Sequence, residues 1–262
     1  MEVDTIYNED CLDTMSNIDN NFIDLVVTSP PYDNLRNYNG YSFNFNQIAN
    51  ELYRVIKEGG VMVWVVSDST INGSETGTSF KQALYFKEIG FNLHDTMIYH
   101  KSNPVPVGGN NRYYQDFEYM FVLSKGKPKT FNPILRERRN KYNDKRTERV
   151  KPMNRNSDGK FTSNKKISLT GKVKLSNTWT YVVGGGNSVE YGIQHPATFP
   201  KKLVEDHILT WSNEGDLVYD PFMGSGTTAI MSIKHNRRYI GSEISKDYVL
   251  ECNNRIKSYL EQ

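Results

Sequence analysis

No apolar run in the 262-residue chain approaches the roughly 18 residues that a membrane-spanning helix needs, so no transmembrane segment is expected. The first residues, Met1-Glu2-Val3-Asp4, carry neither a basic stretch nor an apolar one, which argues against a signal peptide. Only two cysteines occur, Cys11 and Cys252, too few for a disulfide framework and suited to reduced thiols in a cytoplasm. No Cys/His cluster has zinc spacing, so no metal is expected. Nor is there a Gly-Lys-Ser/Thr triplet, which disfavours the phosphate cradle of an ATPase. Internal repeats are also lacking.

The net charge is only +2, but it is unevenly spread. Residues 136–174 hold 14 Lys and Arg against 4 Asp and Glu, whereas the rest of the chain holds 18 against 26. An acidic body with one basic segment points to a local polyanion contact. The alternative is a solvated loop with no partner.

Hydrophobic periodicity organises the remainder. Residues 5–7 and 23–28 read as strands, the second almost wholly apolar, as a parallel strand buried on both faces should be. Residues 44–57 have helical spacing through Phe45, Ile48, Leu52, Val55 and Ile56, and Gly59-Gly60 is expected to stop that helix. A strand at 61–66 and a helix at 78–89 follow. Residues 94–100 and 118–123 look like a hairpin-like strand pair at the sheet edge. Period then fails from 128 to 178, a basic, Asn-rich stretch too long for an idle loop. Regular order returns with a helix at 200–211, a strand at 216–220, a helix from 226, a strand at 239–243 and a helix at 246–260. Alternating strands and helices imply a doubly wound, mostly parallel α/β sheet. The expected organisation is one half-domain at 1–127, an insertion at 128–178 and a second half-domain at 179–262.

Two motifs sit on strand exits. Asp220-Pro221-Phe222-Met223-Gly224-Ser225-Gly226-Thr227-Thr228-Ala229 fits G-x-G-x-x-A between a strand and a helix, where glycines permit a sharp turn and the close approach of a nucleotide. Glu243 ends the next strand 17 residues after Gly226, placed to accept hydrogen bonds from ribose hydroxyls. Such a loop normally opens the sheet; here only 19 residues follow Glu243, so the missing strands must come from upstream. A sheet permuted in this way brings Asp10, Pro30 and Gly224 to one carboxyl edge, the ligand-binding side of such sheets.

The other motif, Thr28-Ser29-Pro30-Pro31-Tyr32, leaves an N-terminal strand. Its prolines stiffen the backbone and remove two N–H donors, which frees the Pro30 carbonyl to face an amino group. An exocyclic amine on a base is a poor nucleophile, since its lone pair is delocalised into the ring. A carbonyl and a side-chain oxygen that accept its hydrogens draw the nitrogen toward tetrahedral geometry. Tyr32 offers a π face for an extruded base, worth about 1–3 kcal/mol.

The two motifs in this order resemble the β class of DNA amino-methyltransferases over nearly the whole chain. The resemblance implies a permuted, seven-stranded Rossmann-like sheet with an inserted target-recognition region. It also implies transfer of a methyl group from S-adenosyl-L-methionine to the exocyclic amine of a flipped base in double-stranded DNA. The implied catalytic residues are Ser29, Pro30, Pro31 and Tyr32. Those implied for the cofactor are Phe222, Gly224, Gly226 and Glu243, with Asp220, Thr227 and Thr28 beside them and Asp10-Cys11 toward the adenine end. The family's His-Pro…Pro…Leu signature matches His195-Pro196-Ala197-Thr198-Phe199-Pro200-Lys201-Lys202-Leu203, which implies His195 and Phe199 near the methionine part. Relatives with Ser at position 29 usually modify cytosine N4 and those with Asp adenine N6, so cytosine is favoured. Lys101-Ser102-Asn103-Pro104 and Phe117-Glu118 are nevertheless similar to adenine-modifying relatives. RNA and protein-glutamine methyltransferases also use a Pro-Pro-Tyr motif, but with the cofactor loop ahead of it. A non-catalytic nucleic-acid-binding protein is the remaining alternative.

For DNA contact, Arg36 lies in the polar loop after Tyr32 and Arg112 in a Gly/Pro-punctuated loop at 103–114. Arg136, Arg138, Arg139, Lys141, Arg146 and Arg149 form the basic cluster, suited to phosphates. The resemblance also allows a homodimer, a cognate restriction endonuclease and a nucleoid-associated location.

Overall fold

The computed structural model describes residues 1–31, 43–104, 111–137, 148–150, 157–160, 166–168, 171–183 and 199–261. In chain order the elements are β1 (Thr5–Tyr7), α1 (Cys11–Ser16), β2 (Ile23–Thr28), α2 (Phe45–Val55), β3 (Ile56–Val66), β4 (Thr70–Ile71), β5 (Ser74–Glu75), α3 (Thr78–Glu88), β6 (Asn92–Lys101) and β7 (Phe117–Ser124). They continue as β8 (Leu135–Glu137), β9 (Glu148–Val150), β10 (Lys166–Ser168), β11 (Lys172–Lys174), β12 (Thr178–Tyr181), α4 (Lys201–Trp211), β13 (Leu217–Asp220), α5 (Thr227–Lys234), β14 (Arg238–Ser242) and α6 (Lys246–Leu260). No described helix is long and apolar enough to cross a membrane.

Two compact units result. The larger comprises Met1–Asn132 and Asn177–Gln262 and contains a sheet ordered β1-β14-β13-β2-β3-β7-β6-β12. Only β7 runs against its neighbours. The permutation read from the motif order is therefore physical: β1 pairs with β14, and β2 pairs with β13. The apolar faces of α1, α2 and α3 cover one side, around Met15, Leu52, Trp64 and Phe86, all wholly buried. The indole N–H of Trp64 donates to Gln82 Oε1 (2.8 Å), so that core leaves this donor satisfied. Helices α4 and α5 pack together on the sheet, with α6 beside α5.

Three local expectations change. The sheet has eight strands and not seven, because Thr178-Trp179-Thr180-Tyr181 adds parallel to β6. The β6–β7 pair is antiparallel as expected, but β12 takes the edge beside it. Gly59-Gly60 does not stop α2, which ends at Val55 and passes straight into β3. The glycines instead form an irregularity where the β2–β3 register jumps from Ile23↔Ile56 to Leu25↔Val61. A Cβ on Gly60 would come within 3.0 Å of the Asp24 carbonyl, a contact only glycine avoids.

The smaller unit, Pro133–Ser176, holds two short antiparallel ladders, β8 with β11 and β9 with β10. Single-residue alternation is weak there, and β8 is exposed throughout.

On α4, His207 is fully buried, with Nε2 3.2 Å from Met120 Sδ and its ring 4.8 Å from that of Trp179. Burial lowers its pKa to about 3. The folded protein thus refuses a proton that the unfolded chain accepts near pH 6.5, so acid favours unfolding. Between pH 7 and pH 5 the expected loss is about 2 kcal/mol from this residue. Denaturant midpoints of wild type and His207→Leu at both pH values measure it; an equal acid shift in the two proteins contradicts it. Glu205, held down to about 2 despite its burial by Lys234, Lys202 and His235, titrates below that window.

Candidate active site

Because β1, β14, β13, β2, β3, β6 and β12 all run the same way, their carboxyl ends share one edge. Asp10 follows β1, Glu243 follows β14, Asp220 ends β13 and Thr28 ends β2. Sequence positions more than 200 residues apart, Asp10 and Glu243 among them, thereby arrive at the same edge.

The turn after β13 is shaped by two residues with left-handed backbone. Gly224 has φ +52° and Gly226 +82°, and Gly226 forms the N-cap of α5. Glu243 closes the turn from the neighbouring strand. Its Oε2 accepts from Gly224 N–H (2.9 Å) and its Oε1 from Ser245 N–H (2.8 Å). Burial raises the Glu243 pKa above the usual carboxylate value, offset in part by those backbone N–H groups. Among the described residues no ion pair to Glu243 is formed. Each oxygen has accepted one hydrogen bond and has a further lone pair, which is the acceptor set that a vicinal diol fits. Asn8 steadies the same corner by donating to the carbonyls of Glu243 (2.9 Å) and Ile244 (3.1 Å).

Asp220 lies at the centre. Its Oδ1 accepts from the Thr28 hydroxyl (2.6 Å) and from Phe222 N–H (3.0 Å), and its Oδ2 from the Thr228 hydroxyl (2.7 Å). Burial pushes its pKa up, and those three donors oppose the shift. Phe222 is half-buried, its ring 5.8 Å from Phe43 and 6.2 Å from Trp64. Thr227 is buried at the first position of α5.

Asp10 is the N-cap of α1, accepting from Leu12 N–H (2.8 Å). Cys11 is buried beside it, and its thiol is pushed well above the usual range, first by burial and then by the Asp10 charge. It is a neutral packing thiol. On the other motif, Thr28 and Pro30 are buried and Ser29 and Pro31 half-buried.

The structure thus brings Asp10, Thr28, Ser29, Pro30, Pro31, Asp220, Phe222, Gly224, Gly226, Thr227 and Glu243 to one edge. Phe199 is half-buried just before Pro200, the N-cap of α4. Tyr32, Arg36, His195, Arg138, Arg139, Lys141 and Arg146 lie outside the described residues. Arg112 is engaged with the Gly73 carbonyl and, at 3.8 Å, with Glu75. Arg136 is exposed on β8, in the smaller unit, and Arg149 belongs to β9. Asn8, Phe43 and Thr228 join the site through contacts made in the fold. Nothing local marks Asn8 or Phe43, whereas Thr228 lies inside the loop motif itself.

An acceptor pair beside a glycine turn, next to a rigid proline exit, suits a nucleoside-type cofactor set against an amine-bearing acceptor. Comparison with known proteins agrees. The N6/N4 DNA methylase family matches residues 23–254. The chain is 58% identical over 248 residues to the orphan methyltransferase M.BamHII of Bacillus amyloliquefaciens, covering 93% of this chain and 92% of that protein. Among solved structures it resembles the cytosine-N4-specific PvuII DNA methyltransferase, with a TM-score of 0.69, 19% identity, and 98% and 91% of the two chains covered. It also resembles M1.HpyAVI in complex with SAM, with a TM-score of 0.62, 23% identity, and 96% and 98% covered.

Proposed function

Since the chain belongs to the N6/N4 family of DNA methylases, and so methylates DNA from S-adenosylmethionine, we propose that its target is the N4 amine of cytosine in double-stranded DNA. The cofactor supplies an activated methyl group on a sulfonium centre. Glu243 accepts hydrogen bonds from the two ribose hydroxyls, and Phe222, Gly224, Gly226 and Thr227 form the surrounding wall. By the resemblance, Asp10 serves the adenine end and Phe199 the methionine part.

On the acceptor side, the Pro30 carbonyl and the Ser29 hydroxyl oxygen accept hydrogen bonds from the two amine N–H groups. That interaction localises the nitrogen lone pair and aims it across the crevice. The proton that the nitrogen sheds on methylation is released to solvent. The rest of the rate comes from positioning and from a preorganised polar surround. No covalent bond to the enzyme is required, which agrees with Cys11 as a neutral thiol.

The single observation that carries methylation of a base amine is the convergence of Ser29-Pro30-Pro31 and the Gly224–Gly226 turn at one sheet edge. Serine at position 29 supports cytosine over adenine, by resemblance to N4-cytosine relatives. Arg136 and its basic neighbours supply phosphate contacts in this reading. The relative at 58% identity is described as an orphan methyltransferase, and we take the same standing for this chain.

Mass spectrometry of nucleosides from unmethylated duplex DNA, incubated with protein and S-adenosylmethionine, tests the proposal. N4-methylcytosine is the expected product. N6-methyladenine would overturn the reading of Ser29 while leaving the cofactor site intact, and no modified base at all would overturn the proposal as a whole.

A further inference from the structure

We infer that Asp220 is a positioning residue that fixes the base-gripping strand exit to the cofactor loop, and not a ligand of the cofactor; this rests on the reading of the site given above. The argument begins with the two strands that carry the motifs. β13 and β2 are parallel neighbours, but their ladder ends at Tyr219↔Val26. The last residues, Asp220 and Thr28, lie beyond it. The two strands part at the point where the sheet reverses its winding, which is where such sheets open a crevice.

A side-chain bridge spans the split in place of the missing ladder. The Thr28 hydroxyl donates to Asp220 at 2.6 Å, the Thr228 hydroxyl at 2.7 Å and the Phe222 amide at 3.0 Å. All three side chains of this bridge are buried, Thr28 at 0% exposure, Thr228 at 1% and Asp220 at 3%. One carboxylate thereby ties three segments: the exit of β2 just before Ser29-Pro30-Pro31, the entry of the cofactor turn, and the first turn of α5. Its oxygens accept three hydrogen bonds from these segments, and at 3% exposure the carboxylate is turned into the joint between them.

Among the described residues no ion pair to Asp220 is formed; burying a carboxylate in that way is costly, and an apolar joint of equal volume is often as stable. What the carboxylate adds is directionality. Hydrogen bonds from two sides set the separation of the Pro30 carbonyl from the Gly224–Gly226 turn within narrow limits. A displacement of about 1 Å between reacting groups is enough to cost about a hundredfold in rate.

Thr28→Val keeps the volume and removes the donor. The single-turnover methylation rate is expected to fall at least about fivefold, as a fraction of an ångström of misplacement would cause. The calorimetric dissociation constant for S-adenosylmethionine should stay within about twofold, since no cofactor contact is removed. Thr28→Ser, which restores the hydroxyl, should recover most of the lost rate. A smaller fall in rate, a comparable loss of cofactor affinity, or no recovery with serine would overturn the inference. Should Thr28→Val not fold, Thr28→Ala, which also removes the donor, replaces it with the same expectation, and a loss of cofactor affinity in Asp220→Asn, which can keep all three protein hydrogen bonds, would mark Asp220 as a ligand after all. Wild-type protein that methylates no DNA would instead break the functional reading beneath it.

Discussion

Glu243→Ala raises the dissociation constant for S-adenosylmethionine about a hundredfold in calorimetry, with the folded state retained. Hydrogen bonds to a charged acceptor contribute about 1.5–3 kcal/mol each. Two of them to ribose hydroxyls would nominally be worth two to four decades of affinity, at about 1.4 kcal/mol per decade. Glu243 is only half-buried, and solvent competes for its oxygens, so the lower figure is expected. Removing the carboxylate also frees the Gly224 amide that it holds at 2.9 Å, which loosens the turn. Glu243→Gln sharpens the test. One of its two polar atoms becomes an N–H₂ donor, which must then face either the Gly224 or the Ser245 amide, both donors themselves. Glutamine should therefore lose at least about tenfold despite its near-identical shape. At saturating cofactor the methylation rate of either variant should approach wild type, because the acceptor side is untouched. An unchanged dissociation constant for Glu243→Ala would remove the ribose role.

That this prediction can be made from residue 243 at all reflects what a sequence displays well. The strands that position the site are nearly continuous apolar runs, Ile23–Thr28 and Leu217–Asp220, and runs of that kind advertise burial on both faces. The glycine turn and the acid one strand later are local patterns with fixed spacing. Their unusual order fixes the neighbour relations β1–β14 and β13–β2 without any coordinate.

What stayed hidden depends on partners far away in the chain. β12 is four residues long with alternate residues exposed, and it becomes a strand only because β6 offers it an edge. The helix expected over 44–57 stops two residues short, at Val55, since Ile56 continues its apolar spacing while pairing with Ile23 across the sheet. The β8–β11 ladder of the smaller unit buries too little for periodicity to appear. In the site itself, Asp220 was legible as a motif residue, but its bonds to Thr28, 192 positions away, were not. Asn8 is the same case: its amide reaches a carbonyl 235 positions on.

Gly226→Ala should destabilise the fold by about 2–4 kcal/mol, and the cause is not the cofactor. A Cβ at Gly226 would lie 2.0 Å from Cys252 Sγ and 3.3 Å from Cys252 Cβ. Overpacking of this kind costs about 1–3 kcal/mol, and the left-handed φ of +82° adds about 1 kcal/mol for any residue with a Cβ. For a chain of this size, melting should fall by roughly 5–15 °C. Cys252 is fully buried in α6, and burial pushes its thiol up to about 12, so it acts there as a neutral packing atom. Cys252→Ala alone should cost about 1 kcal/mol for the lost sulfur contacts. Combined with Gly226→Ala it should restore most of the steric part, since the remaining 3.3 Å contact relaxes with a shift of a few tenths of an ångström. The double-mutant cycle should therefore show a favourable coupling of about 1–2 kcal/mol. Strict additivity would instead assign the whole loss to backbone conformation. A positive coupling makes the second glycine of the turn a requirement of α5 lying close on α6, and cofactor binding then suffers in Gly226→Ala because the helix that begins at Thr227 has been pushed off its seat.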